Sequence, residues 1–181
     1  MATARIKFTY QDYLQLPEGE RKELIEGEFY MTPSPSLWHQ DVVIDLGSAM
    51  RRYVNARQLG RVTVAPFDVI FDEENVVQPD ILFVSNERMA GLEKGRMHGA
   101  PDLVVEILSP STADRDLTYK LKLYARHDVR EYWTVDPESR TVRVLALNPR
   151  GVDSETIRTS GTVASRILEG FEIPLDDIFT F

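Results

Sequence analysis

The spacing of hydrophobic residues along this chain predicts three helices. Residues 36–57 carry apolar side chains at intervals of three or four positions, namely Val42, Leu46, Ala49, Met50 and Tyr53. This period indicates a long amphipathic helix. A shorter helix is predicted at 9–16 and another at 111–127, because Thr9 and Ser111 each precede an acidic residue by three positions, as N-cap residues do.

Segments rich in β-branched and aromatic residues predict strands. A hairpin is expected at 23–31, with its turn at Gly27, before a proline-containing loop. The other predicted strands are 61–65, 67–71, 76–84 (interrupted by Pro79), 102–108, 131–135 and 141–147, and the tail is expected to add one more hairpin. Because strands and helices follow one another in this order, the predicted fold class is α/β, with a mixed sheet flanked by helices.

Two acidic residues interrupt apolar strands, and this position makes them candidates for a metal-binding site. Glu106 stands in the run LVVEIL (103–108), which is apolar at both alternations and is therefore predicted to be buried on both faces. An ionised carboxylate there is costly unless it is paired or binds a metal. Asp80 follows Pro79 in segment 76–84. A buried salt bridge, or a position at a strand end with the carboxylate in water, would explain Glu106, and a bulge would explain Asp80. A shared Mg²⁺ explains both, because it removes their mutual repulsion.

A lysine on the next helix extends this pattern. The predicted core stripe of helix 111–127 consists of Leu117, Leu121 and Tyr124. At 100° per residue Lys120 falls beside that stripe. From there it can reach back to the strand that contains Glu106 and stabilise charge on a nucleophile or a transition state. The alternative is a surface lysine that packs only its stem against the protein.

Composition narrows the classes of function. The chain has no cysteine, which excludes disulfides, cysteine–zinc centres, iron–sulfur clusters and thiol nucleophiles and agrees with a cytoplasmic location. No apolar stretch reaches the roughly 18–20 residues of a membrane span, so an intracellular protein without a membrane partner is expected. The formal net charge of −8 argues against tight non-specific binding to nucleic acid, although a local basic groove can coexist with an acidic exterior.

Six fragments of the chain resemble the Uma family of predicted endonucleases, in the PD-(D/E)XK or restriction-endonuclease-like superfamily. They are ELIEGE (23–28), PSP (33–35) with His39, VQPD (77–80), PDLVVEILSPS (101–111), KLKLY (120–124) and EYWTVDP (131–137). The resemblance runs from about residue 9 to residue 147. It implies a single restriction-endonuclease-like domain over 1–181, with an N-terminal helix and hairpin at 1–35, a nuclease-like core at 36–147 and a C-terminal hairpin extension at 148–181.

The resemblance also implies a catalytic site. Asp80 would be the first acidic element and Glu106 the second, and both would bind Mg²⁺ or Mn²⁺. The superfamily lysine ordinarily stands two residues after the second acid, but Leu108 occupies that position here. In this family the basic residue is expected on the following helix, where the resemblance maps it to Lys120, the same lysine that the stripe indicates.

Two further residues are candidates for the site. Glu23 matches an early glutamate of the family and would be an additional metal ligand; the alternative is a charge at a strand edge. His39 stands near the start of helix 36–57 and would be a general base or a phosphate contact. The alternative for His39 is a capping or packing residue.

The resulting hypothesis is a Mg²⁺-dependent endonuclease that hydrolyses phosphodiester bonds in nucleic acid, expected to be DNA. A homodimer is expected because the cutting of two strands suits two sites. Two alternatives stay open: a non-catalytic member of the fold that binds nucleic acid or protein, and a metal-dependent phosphoesterase for small substrates. The leucine at position 108 and the net charge favour the non-catalytic alternative.

Overall fold

The strands of the protein fall into three sheets in this computed structural model, which describes residues 6–17 and 19–181. They are β1 (Lys22–Ile25), β2 (Glu28–Met31), β3 (Gly60–Val64), β4 (Asp68–Asp72), β5 (Asn75–Val77), β6 (Ile81–Ser85), β7 (Arg96–His98), β8 (Leu103–Ile107), β9 (Glu131–Asp136), β10 (Thr141–Asn148), β11 (Gly151–Arg158), β12 (Thr162–Ala164) and β13 (Glu172–Pro174). One sheet has the order β11-β10-β9-β8-β6-β3, a second has the order β2-β1-β5-β4-β7, and β12 pairs with β13. Both large sheets are mixed, because β8 runs parallel to β9 and β4 parallel to β7.

The helices are α1 (Tyr10–Tyr13), α2 (Leu37–Arg57), α3 (Ala113–Arg115), α4 (Leu121–Arg126) and α5 (Leu175–Ile178), with a 3₁₀-helix at Asn86–Gly91 and a π-helical turn at Asp116–Lys120. Helix α1 is shorter than predicted but follows the predicted N-cap Thr9, and α2 follows the N-cap Ser36. The N-cap of α3 is Thr112 rather than the predicted Ser111. Within the described residues, no helix is long and apolar enough to cross a bilayer.

Strand β8 lies inside the six-stranded sheet and alternates between two hydrophobic cores. Leu103, Val105 and Ile107 belong to a core that includes α2 and the C-terminal segment. Val104 belongs to a second core, which is shared with the five-stranded sheet and α4. All of β8 is buried, which confirms the prediction from its apolar run. Since side chains alternate along a strand, Glu106 lies on the face of Val104, between the two large sheets.

The predicted strand 76–84 is in fact two strands that belong to different sheets. Strand β5 ends at Val77 in the five-stranded sheet, and β6 begins at Ile81 in the six-stranded sheet. Pro79 lies between them, and it cannot continue a strand ladder because it has no backbone N–H. The prediction that Asp80 interrupts a strand is therefore wrong. Asp80 stands immediately before β6.

The predicted helix 111–127 is interrupted by the π-helical turn between α3 and α4. A π turn closes each hydrogen bond one residue later than an α turn, and it therefore rotates the residues that follow about the helix axis. Leu117 and Leu121, which the helical period places in the core, are only half-buried. Asp116 and Lys120, the first and last residues of this turn, are buried instead.

The C-terminal tail contributes more than the single predicted hairpin. Strand β11 pairs with β10 and extends the six-stranded sheet, while β12 and β13 form a hairpin of their own. Glu131, at the start of β9, connects this hairpin region to the sheet. Its buried carboxylate accepts hydrogen bonds from Trp133 Nε1 (2.6 Å), Ser165 Oγ (2.8 Å) and the backbone N–H of Arg166 (2.7 Å).

Replacement of Glu131 by alanine is expected to lower the free energy of unfolding by about 2–4 kcal/mol, because three donors lose a carboxylate acceptor in the protein interior. Urea unfolding followed by circular dichroism measures the loss. Glu172→Ala is the matched control, since Glu172 is exposed on β13 and its removal should change stability by no more than about 0.5 kcal/mol. Equal stabilities of the two variants would contradict the role given to Glu131.

Candidate active site

A cavity of about 800 Å³ lies between β1, the starts of α2 and β6, the end of β8 and the π-helical turn. Its lining includes all five residues that the sequence indicated: Glu23, His39, Asp80, Glu106 and Lys120. These residues are scattered through the chain and come from five different elements or their ends. The structure thus brings every predicted site residue to one place.

Asp80 and Glu106 are neighbours across the β6–β8 pair. The antiparallel register pairs Ile81 with Val105, so one step further along both chains places Asp80 opposite Glu106. Residues opposed in this way have Cβ atoms about 4.5–5.5 Å apart. In addition, Asp80 Oδ2 accepts a hydrogen bond from the backbone N–H of Ile107 at 2.7 Å. This bond holds the Asp80 carboxylate beside the end of β8.

Lys120 lies in the middle of a buried group of carboxylates. Its Nζ is 2.8 Å from Glu23 Oε1, 2.9 Å from Glu106 Oε1 and 3.3 Å from Asp116 Oδ1. The residue is only 3% exposed, so the alternative of a surface lysine is wrong. Burial lowers the pKa of Lys120, but the carboxylates outweigh burial and hold that pKa well above its usual value. The lysine is therefore charged.

Burial dominates the environment of Glu106 and raises the pKa of its carboxyl group well above the usual value, while Lys120 acts in the opposite direction. Oε1 of Glu106 accepts hydrogen bonds from Lys120 Nζ at 2.9 Å and from Tyr124 Oη at 2.5 Å. Burial and the adjacent Glu106 also raise the pKa of Tyr124. The tyrosine hydroxyl consequently keeps its proton and acts as the donor.

Asp116 and Tyr124 are two residues of this cluster that sequence reasoning missed. The hydrophobic stripe assigned Tyr124 to packing alone, and Asp116 was not singled out. Burial raises the pKa of Asp116, and Lys120 opposes that rise. The spacing contained a signal, because Asp116, Lys120 and Tyr124 follow one another at intervals of four, and residues four apart meet on one face of a helix.

The two additional candidates also reach the cluster. Glu23 is buried, which rules out the alternative of a strand-edge charge, and its Oε1 accepts the backbone N–H of Gln78 at 2.9 Å as well as contacting Lys120. Glu23 Oε2 lies 3.6 Å from a terminal nitrogen of Arg115. His39 Nε2 is 3.2 Å from Asp80 Oδ2, so that Asp80 is held from two sides.

A divalent cation suits this set of donors. Glu23, Glu106 and Asp116 lie beside Lys120, and Glu23 also lies near Arg115. Asp80 adds a fourth carboxyl group opposite Glu106. When fully ionised the cluster has an excess of negative charge, and Glu23 Oε2 is buried without a hydrogen-bond partner among the described residues. In that part of the chain no three His, Cys, Asp or Glu side chains converge as a ready-made metal cage. Mg²⁺ does not require such a cage, because it keeps several waters and binds one or two carboxylates together with substrate phosphates.

Two mixed sheets flanked by few helices bring acidic residues and a lysine together in one cavity, which is the arrangement that the resemblance to restriction-endonuclease-like proteins implies. The sequence model of the Uma2 family, described as "Putative restriction endonuclease", matches residues 10–176. The chain therefore belongs to the Uma2 family, which confirms the resemblance seen in the sequence.

A solved structure supports the same fold. The crystal structure of a "putative nuclease belonging to DUF820" from Anabaena variabilis ATCC 29413 is similar to this chain with a TM-score of 0.80. The two sequences are 23% identical, and the match covers 96% of this chain and 98% of that one. At this identity the likeness concerns the fold, and it confirms the predicted α/β, restriction-endonuclease-like class. Comparison with curated proteins gives no match.

Proposed function

We propose that this protein is a metal-dependent endonuclease that hydrolyses phosphodiester bonds in nucleic acid, with DNA as the expected substrate. The observation that carries the proposal is the convergence of Asp80, Glu106 and Lys120 in one cavity. Family membership and the fold support a nuclease of the restriction-endonuclease-like kind. The roles of the individual residues follow from the contacts that hold them.

Asp80 and Glu106 would hold Mg²⁺ or Mn²⁺, since carboxylate oxygens are the ligands that these cations prefer. Such a cation, when bound, makes water more acidic and neutralises charge on phosphate. The hydrogen bonds that Glu106 accepts from Lys120 and Tyr124 both go to Oε1, so these two donors hold the carboxylate in place. His39 and the N–H of Ile107 both hold Oδ2 of Asp80, which keeps this carboxylate in place.

The remaining steps use side chains of the cluster. Glu106 accepts a hydrogen bond from a water molecule and orients it for attack on phosphorus. In that attack the bond from the water oxygen to phosphorus forms while the bond from phosphorus to the leaving oxygen breaks. The attacking water releases a proton to solvent, and the leaving oxygen takes one from solvent. The ammonium group of Lys120 stabilises the negative charge that develops, and its low exposure strengthens this effect because water does not screen it.

Nicking of supercoiled plasmid tests the proposal. The protein is expected to nick plasmid in Mg²⁺ or Mn²⁺ and to be inactive in EDTA, and Asp80→Asn is expected to lower the rate by about 100-fold or more, because one of two metal ligands loses its charge. Asp114→Asn is the matched control, since Asp114 is exposed on α3. Activity in EDTA, or equal rates for Asp80→Asn and Asp114→Asn, would overturn the assignment.

One observation favours a second function, that of a binding module without catalysis. Lys120 already contacts three carboxylates, and a buried network of this kind can be purely structural. Titration calorimetry with Mn²⁺ separates the two functions. The nuclease is expected to bind the cation and to lose that binding in Asp80→Asn, whereas a structural network predicts no binding in either protein.

A further inference from the structure

Trp38 presents a flat aromatic surface at the cavity. It lies in the first turn of α2, beside His39 in sequence, and it lines the cavity. One face of its indole stacks on Phe181, with ring centroids 5.1 Å apart and planes within 7°. Nevertheless Trp38 remains 47% exposed. A ring that is supported on one face and exposed elsewhere is a platform on which a second ring can stack.

Two arginines of the same cavity each keep one donor without an acceptor in the part of the chain that the structure describes, although Arg115 also donates a hydrogen bond to the carbonyl oxygen of Met31 (3.3 Å) and lies 3.6 Å from Glu23 Oε2. Arg21 and Arg115 both line it, and the Nε of each is buried without a hydrogen-bond partner among the described residues. A buried N–H that lacks an acceptor costs free energy. Phosphate oxygens are acceptors that match the fork of a guanidinium group. The cavity thus combines a stacking surface with donors for phosphate, next to the carboxylates that would hold the cation.

The charge of the cavity argues against a long duplex interface. Among the described lining residues the lysines and arginines are Arg21, Arg115 and Lys120, and the last two of these also lie beside carboxylates. The chain as a whole carries a formal charge of −8. A protein that tracks duplex DNA needs many phosphate contacts. A site for one unpaired nucleotide needs fewer phosphate contacts, because stacking of a base on an aromatic side chain contributes about tenfold or more in affinity in addition to them.

We propose that the cavity binds an unpaired nucleotide, with its base stacked on Trp38 and an adjacent phosphate on Arg21 and Arg115. This inference rests on the proposed function, because it names the class of substrate for the same site. The preferred substrates are then single strands, or places where a duplex is open, such as frayed ends, bubbles and mismatches. Intact duplex lacks an unstacked base for the platform.

Tryptophan fluorescence tests the inference directly. The chain has two tryptophans, and Trp133 is fully buried, so quenching by an added oligonucleotide reports on Trp38. With Ca²⁺ in place of Mg²⁺ to slow cutting, a short oligodeoxythymidine is expected to quench the emission saturably. A fully paired linear duplex of the same length, closed by G·C pairs at both ends to limit fraying, is expected to bind about tenfold more weakly, since stacking of one base is worth about that much in affinity.

Variants extend this test with labelled oligodeoxythymidine and fluorescence anisotropy. Trp38→Leu is expected to weaken binding by about tenfold or more, whereas Trp38→Phe keeps an aromatic face and should stay within a few-fold of the parent protein. Ile44→Ala is the matched control, because Ile44 is an exposed apolar residue of α2 that does not line the cavity. Arg21→Gln is expected to reduce the slope of log affinity against log salt by about 0.7, the value for one phosphate contact on a single strand.

The outcomes separate this inference from the proposed function. Metal-dependent nicking without quenching of Trp38, equal affinity for duplex and single strand, or undiminished binding by Trp38→Leu would each overturn the inference alone. Saturable quenching by oligodeoxythymidine in a protein that nicks nothing in Mg²⁺ or Mn²⁺ would overturn the proposed function and support the nucleotide site by itself.

Discussion

Glu106→Gln is expected to lower the rate of metal-dependent nicking by about 10³-fold or more. Glutamine has nearly the same shape and keeps an oxygen that accepts the hydrogen bonds of Lys120 and Tyr124, which both go to Oε1 in the parent protein. It removes the charge that would hold the cation and orient the water. Plasmid nicking under single-turnover conditions, in Mg²⁺ and in Mn²⁺, measures the loss.

The fold should survive this substitution, which separates a chemical role of Glu106 from a structural one. Burial already disfavours the ionised form of Glu106 and raises its pKa, so a neutral side chain of the same size suits the site. Thermal unfolding of Glu106→Gln is therefore expected within a few degrees of the parent protein. Glu172→Gln, on the exposed face of β13, is the control. A nicking rate for Glu106→Gln within tenfold of this control would contradict the assignment.

The location of Glu106 was predictable from sequence because it depends on a local pattern. An apolar run with both alternations filled indicates a strand that is buried on both faces, and β8 is buried throughout. A carboxylate in such a run requires a partner, and the structure provides Lys120 at 2.9 Å. Helix α2 was predictable from a local pattern as well, because its apolar residues recur at the helical period over many residues.

Other features depend on pairing between distant segments or on the register of a helix. Segment 76–84 has the composition of one strand with a bulge at Pro79, and only the partners of β5 and β6 show that the chain changes sheets there. Likewise the helical period places Leu117 in the core, whereas in the structure Leu117 is only half-buried. A regular helical period cannot reveal one π turn. The burial of Asp116, which completes the surroundings of Lys120, was not predicted, although its four-residue spacing from Lys120 offered a signal.

Lys120→Met is expected to lower the free energy of unfolding by about 3–5 kcal/mol at neutral pH and to lower the nicking rate by about 100-fold. Methionine matches the length of the lysine stem but carries no charge, so Glu23, Glu106 and Asp116 lose the cation that lies among them. Breaking a buried ion pair costs this much because the remaining charges stay buried without compensation. Urea unfolding and plasmid nicking measure the two losses.

The loss of stability should also depend on pH. Burial raises the pKa values of Glu106 and Asp116, and Lys120 opposes both rises, so without the lysine the folded protein holds protons that the unfolded chain releases near pH 4. Where the folded state binds more protons, stability falls as the pH rises. Lys120→Met is therefore expected to be more stable at pH 5 than at pH 8. Lys122→Met, exposed on α4, is the control, and a Lys120 variant that matches it at both pH values would show that this lysine does not neutralise the buried carboxylates.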